Sequence, residues 1–263
     1  MRKRALAFFI HLLLALCISG CGSSSRGSAA GGASRGALPR FVDVTERAGI
    51  RFVHHNGALG RKWMPETTGS GGAFLDADGD GWQDAFIANG HIDDLVYRFD
   101  TQITYAERPL LFRNDGGKRF IEIGEQLGEP LRQQYVLRGC ACGDIDRDGD
   151  LDLLVVPNNN QPARLWRNDG GNRSHWIRFR LAGTRSNRSG LGARVTVRAG
   201  GMTQRRWVKS GGSYLSQSEL PATFGLGEAT RVEEVEVLWP GGRVDTWRDL
   251  PADREHALVE GRT

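Results

Sequence analysis

The chain has 263 residues, a formal net charge of +4 and 36 glycines. Setting aside an N-terminal stretch of export character leaves about 220 residues, enough for one large or two small domains. Many short alternating apolar runs and little helical periodicity point away from a helical fold and predict a mostly β protein.

Met1–Arg4 is basic and Ala5–Leu16 is apolar, shorter than the roughly 20 residues that span a bilayer. Together they read as a signal segment. The Ile18-Ser19-Gly20-Cys21 that follows resembles the bacterial lipobox, which implies that Cys21 is lipidated and becomes the mature N-terminus. The expected product is an exported lipoprotein of the bacterial cell envelope. Gly22 stands where an aspartate would resemble an inner-membrane retention signal, so a Gram-negative host would place the protein on the outer membrane. The small, polar stretch from Gly22 to Arg40 has too little apolar surface to fold and is expected to be a tether.

Two acidic loops follow in chain order. DADGDGWQD (Asp76–Asp84) and DIDRDGDLD (Asp144–Asp152) share the frame D-x-D-x-D-G-x-x-D. Each precedes an apolar run, and each copy later carries R-N-D-G-G, at Arg113–Gly117 and Arg167–Gly171. The first copy is longer, the excess falling within HIDDLVYRFDTQITYAER (His91–Arg108), which is expected to protrude as a loop. Repetition of β-like pieces on this scale suggests propeller blades or stacked β units.

An EF-hand requires a bidentate Glu at position 12 and flanking helices. Here that position holds Ile87 or Val155, within strand-like runs, so the EF-hand is excluded. What remains is a calcium loop between strands. Its ligands would be the carboxylates of Asp76, Asp78, Asp80 and Asp84 with the Trp82 backbone carbonyl, and of Asp144, Asp146, Asp148 and Asp152 with the Asp150 backbone carbonyl. Hard oxygen donors without a nearby His or Cys favour Ca²⁺, with Mg²⁺ the weaker rival. Gly81 and Gly149 at position six would supply the sharp bend. Two calcium sites are expected.

The loops look like the FG-GAP/VCBS-type calcium loops of integrin α-like β-propellers. The later segments GGNRSHWIRFRLAGTRSNRSGLGARVTVRAGG, SGGSYLSQSE and FGLGEATRVEEVEVLWPGGRVDTWRDL are similar to the ASPIC/UnbV domain of the cartilage acidic protein family. The resemblance implies a partial β-propeller-like region of two to three blades, followed by a small β-sandwich-like domain. Residues 1–20 are read as signal, 21–40 as tether, 41–171 as FG-GAP/VCBS-like repeats and 172–263 as the ASPIC/UnbV domain. Relatives generally carry enough repeats to close a propeller, whereas this chain shows two acidic loops. The open edges would be closed by homo-oligomerisation or capped by the C-terminal domain.

Gly170–Ser218 holds ten Arg and Lys and no Asp or Glu. The basic residues alternate with apolar ones, as in half-buried strands, and Glu233, Glu234 and Glu236 are set to pair with Arg178, Arg180, Arg194 or Arg198. Cross-strand pairing is preferred over a polyanion site, and nucleic acid is not an expected partner. Cys140 and Cys142, two apart, are poorly spaced for a disulfide and are expected to be buried as small apolar groups. From residue 41 onward the chain has neither H-E-x-x-H nor a G-x-S-x-G elbow, and His54-His55 would face opposite sides of a strand. No catalytic residue is assigned. The expected function is a non-enzymatic, calcium-stabilised surface interaction or adhesion module with a protein or glycan ligand. The alternative is a metal-dependent hydrolase or glycan-processing accessory protein.

Overall fold

The computed structural model describes residues 40–263, apart from 57–59, 61, 99 and 159. The signal segment, the lipidation candidate Cys21 and the tether lie outside the described residues. Strands dominate, and the only α-helices among the described residues are the single turns Met64–Thr67 and Glu129–Arg132. Among the described residues, no sheet closes on itself.

The first acidic repeat builds an antiparallel meander of β1 (Gly71–Leu75), β2 (Asp84–Ala88), β3 (Leu110–Asn114) and β4 (Phe120–Glu122), in that spatial order. The second builds β5 (Leu137–Gly143), β6 (Asp152–Pro157) and β7 (Arg164–Trp166). In both, the acidic loop is the turn of the first hairpin. Strand alternation puts Leu75, Phe86, Ala88 and Leu111 on one face of the first sheet. They share one core with Leu137, Cys140, Cys142, Leu153 and Val155 of the second. Both cysteines are free and buried, as their spacing predicts.

This is blade-on-blade packing, and it leaves each blade's other face uncovered. Phe74 on β1 is 71% exposed, and Leu154, Val156 and Leu165 on the second sheet are also exposed. The His91–Arg108 segment does not protrude as expected. Val96 and Ile103 are buried, the His91 N–H donates to the Tyr105 carbonyl, and Glu107 and Tyr135 exchange backbone hydrogen bonds. Apolar residues within the insertion fold it back against the chain.

The remainder forms two facing sheets. One orders β10 (Met202–Trp207), β9 (Arg194–Ala199), β12 (Arg231–Leu238) and β13 (Val244–Pro251). The other orders β11 (Ala222–Gly227), β8 (His175–Ala182) and β14 (Arg254–Val259), with β14 parallel to β8. Ile177, Phe179, Val195, Val197, Phe224, Val232, Val235, Val237 and Trp239 fill the space between them. These are the apolar members of the alternating runs, so the alternation dictates the sandwich.

Polar partners follow the same register. Arg198 pairs with Glu234, and Arg194 with Glu236 at 3.6 Å, across β9 and β12. Arg178 and Arg180 lie in the other sheet and pair instead with Glu255 of the parallel neighbour β14. Glu233 accepts from the Gly200 N–H.

The SGGSYLSQSE stretch runs along the free edges of both blades. Ser213 Oγ accepts from the Gly72 N–H of β1, and Ser218 Oγ accepts from the Cys142 N–H of β5. The Glu219 N–H donates to the Cys142 carbonyl. Strands β1 and β5 are edge strands, and unpaired edge donors need such partners. Between the outer face of the first blade and the segment 205–223 lies a cleft of about 870 Å³, to which Phe74, Ile87, Trp207 and Leu220 contribute.

Past β14, the buried Glu260 takes the N–H groups of Thr184, Arg185 and Ser186 and the Ser186 hydroxyl. Led by the Ser186 N–H, these bonds hold its carboxyl down to about 2 from 4.5. A folded pKa below the unfolded one contributes stability above the unfolded value that is lost as pH falls. Glu260→Gln should therefore lower the thermal midpoint at neutral pH. Its deficit against the unmodified protein should shrink as pH falls from about 4.5 to about 2, as followed by circular dichroism melts.

Candidate metal loops at the repeat–sandwich seam

Each loop is shaped by its own aspartates. Gly81 and Gly149 adopt φ of 92° and 103°, the left-handed region that glycine enters without strain. A Cβ on Gly149 would overlap the Trp176 indole, so that glycine also admits the sandwich. The last aspartate of each loop is almost wholly buried: Asp84 is 0% and Asp152 1% exposed. Their bonding is the same. Asp84 accepts from the N–H groups of Ala77 (2.9 Å) and Asn114 (2.7 Å). Asp152 accepts from Ile145 (2.9 Å) and Asn168 (2.8 Å). Asn114 and Asn168 are the asparagines of the two R-N-D-G-G turns, so the repeated turn is what holds the end of each acidic loop. Asn168 also donates from Nδ2 to the Ala77 carbonyl at 2.9 Å, joining the second repeat to the first loop.

Among the described residues, two groups of carboxylates converge: Asp76 with Asp78 and Asp84, and Asp144 with Asp146 and Asp152. One oxygen from each member lies within 4.8 Å of the others. Positions one, three and nine of the sequence frame are thus brought together in both loops. Position five stands apart. Asp80 accepts from the Trp82 N–H, while Asp148 takes the Asp150 N–H and Asn172 Nδ2. The sharp bends fall at Gly81 and Gly149, and Asp150, expected to contribute its backbone carbonyl, turns its side chain inward. That side chain is 3% exposed and takes the Gly171 N–H at 3.0 Å.

Crowding shows in the electrostatics. Burial first, then the charges of Asp80 and Asp84, pushes the Asp76 carboxyl up to about 7. Burial raises Asp84 to about 6 against the opposing Asn114 and Ala77 N–H bonds. Asp150 rises to about 7 through burial and the neighbouring Asp148. Asp144 is raised by burial and opposed by Arg178.

These features have matches elsewhere. Residues 76–155 match the FG-GAP-like repeat model, and residues 183–263 match the ASPIC and UnbV model. The chain carries an FG-GAP-like repeat and an ASPIC and UnbV domain. It is similar to cartilage acidic protein 1 of Homo sapiens, 32% identical over 138 residues that cover 51% of this chain and 20% of the relative. The Mus musculus protein of that name is 30% identical over 138 residues, covering 51% and 21% respectively. The matched part is thus about a fifth of the length of these curated relatives. The combination fits an exported β-repeat module of the extracellular kind.

FG-GAP-like repeats typically bind calcium, and the donor set here suits a hard cation. Asp76 Oδ1, Asp144 Oδ1 and Asp150 Oδ1 are buried and have no hydrogen-bond partner. A buried carboxylate oxygen in that condition is unfavourable unless a cation takes it. The residues present therefore fit a divalent ion at each loop, with Asp76, Asp78 and Asp84 holding one and Asp144, Asp146 and Asp152 the other.

Sequence reasoning missed three contributors. The asparagines of the R-N-D-G-G turns were signalled by their repetition beside each acidic loop. The Asp150 side chain was masked because its counterpart in the first loop is Trp82. The third contributor is the C-terminal sandwich, through Arg178 and Gly225, and nothing in local spacing connects residues so far apart.

Asp152→Ala would leave two part-buried N–H donors, of Ile145 and Asn168, unpaired and should destabilise the protein by about 2 kcal/mol. Urea unfolding should show a lower midpoint at unchanged slope. Asp169, whose exposed side chain pairs with Arg167, is the control, and its alanine variant should stay within about 0.5 kcal/mol.

Proposed function

We propose that this chain is an exported, lipid-anchored and calcium-stabilised interaction module without catalytic chemistry of its own. The observation that carries the reading is the paired acidic loops, each with converging carboxylates and a buried, unpartnered oxygen on its first aspartate. Two loops of the same frame in the same hairpin position support a calcium ion at each. Cys21, after its basic and apolar segments, supports the anchor, and the tether would hold the folded part away from the membrane surface.

Three of the histidines support a non-catalytic role. His175 Nδ1 lies 2.8 Å from Asp253, His256 Nε2 lies 3.0 Å from the Pro251 carbonyl, and His91 Nδ1 accepts from the Asp93 N–H. Each is engaged with neighbouring chain. Both oxygens of Asp84 and of Asp152 accept backbone N–H groups, an arrangement that fixes a loop. A metal-dependent hydrolase would need an open coordination position for substrate. The exposed Phe74 and Trp207 at the cleft offer aromatic contact area for a protein or glycan partner.

Calcium that binds only the folded loops adds about 2.7 kcal/mol per site at a hundredfold excess over Kd. For a folded unit of this size that is a rise in thermal midpoint of roughly 5–10 °C per site. Melting of the protein in calcium and in EGTA should show this difference, and coincident midpoints would remove the calcium reading. Cys21→Ser should abolish acylation, measured as the mass of the mature N-terminal peptide.

A further inference from the structure

Asp76 and Asp144 open their loops at equivalent positions, and each is 7% exposed. In both, one carboxylate oxygen is taken by the C-terminal sandwich while the other is buried without a partner. Asp76 Oδ2 accepts from the Gly225 N–H at 3.1 Å as well as from Gly81 of its own loop at 3.0 Å. Asp144 Oδ2 lies 3.0 Å from Arg178 Nη1. In each case Oδ1 is the orphan.

We propose that Gly225 and Arg178 are positioning residues for the two loops, so that cation uptake by the repeats and docking of the ASPIC and UnbV sandwich are one coupled event. The proposal rests on the calcium reading and adds a second domain to it.

The geometry on the sandwich side is specific. Strand β11 is an edge strand, and its pairing with β8 shifts register between Gly225 and Gly227. Both glycines direct their N–H groups to the first loop: Gly225 to Asp76 Oδ2, and Gly227 to the Gly79 carbonyl at 3.1 Å. A Cβ on Gly225 would overlap Asp76 Oδ2 and the Gly79 backbone. That is a physical reason for the spacing of FGLG. The Gly225 carbonyl is fixed in turn by Gln204 Nε2 at 2.6 Å.

Arg178 points away from the sandwich core, between the inward Ile177 and Phe179, yet is 8% exposed because its face is covered by the second loop. Its guanidinium also meets Glu219, and Glu255 at 3.1 Å. The fork is therefore held from three sides, and Asp144 is presented in one orientation. With one oxygen of each first aspartate anchored this way, Oδ1 is the oxygen available to an ion. Ion and sandwich then act on the same side chain, and by linkage each strengthens the other's hold.

The test uses the mature full-length protein and calcium alone. Calorimetric titration should show calcium binding to the unmodified protein, and Gly225→Ala should weaken it roughly tenfold, within the usual range of coupling between sites. Because the added Cβ also strains the fold at Gly79, amide hydrogen exchange on the unmodified protein provides the independent measurement. Calcium should slow exchange at Gly225 and Gly227 at least as much as at the loop amides, and leave β12 and β13 unchanged. Arg178→Lys, which keeps the charge and loses the fork, should weaken binding less than Arg178→Met. Calcium binding without protection of Gly225 and Gly227 would overturn the coupling and leave the calcium reading intact. An absence of calcium binding by the unmodified protein would overturn both.

Discussion

Asp76, Asp84, Asp144 and Asp152 surrender their hydration when the chain folds, and a carboxylate out of water must find donors or a cation. Their donors come from three places. The loop supplies its own N–H groups, the R-N-D-G-G turn supplies Asn114 or Asn168, and the sandwich supplies Gly225 or Arg178. Those sources lie far apart in the chain. Satisfying a few buried oxygens therefore fixes where the third strand of a repeat ends and which strand of the sandwich faces which loop. The apolar core makes the blades cohere, but it has little directional preference. Direction comes from the carboxylates.

The two blades share a single core, and each presents its other face to its surroundings. In a longer array those faces would be covered by further blades. Here the sandwich takes part of that role on the first blade's side, across the cleft where Trp207 and Leu220 stand opposite Phe74 and Ile87. The second blade keeps Leu154, Val156 and Leu165 exposed. An apolar strip of that kind is a place where burial against another surface is favourable.

Much of this was legible in the sequence, and the reason is that the readable parts are local. Alternation in WIRFRL, RVTVR and VEEVEVLW fixed which residues enter the sandwich core, and Ile177, Val195 and Val235 are there. The frame of the acidic loops, with glycine at position six, located both hairpin turns. The cysteine spacing excluded a disulfide. What local pattern could not show was direction across the chain. Arg178 and Arg180 read as partners for the acidic strand VEEVEV, but β8 belongs to the other sheet, where Glu255 is the parallel neighbour. The insertion from His91 looked like a protruding loop because the second repeat has no counterpart to it. Val96 and Ile103 were enough to bury it.

The same long-range logic explains how so short a set of blades is finished. An open sheet edge has unpaired N–H groups as well as carbonyls, and a cluster of buried aspartates has an excess of acceptors. Either alone is a liability. Here the two are set against each other, since the free edge of β11 gives its N–H groups to Asp76 and Gly79. At the inner edges of the blades the hydroxyls of Ser213 and Ser218 do the corresponding work for β1 and β5. The sandwich thus caps the stub through polar complementarity at edges more than through apolar cover of faces. Edges capped by hydrogen bonds lose their tendency to recruit further strands, while faces left apolar keep their capacity to meet another surface. That division closes the edges of the blades against further strands while leaving their apolar faces open.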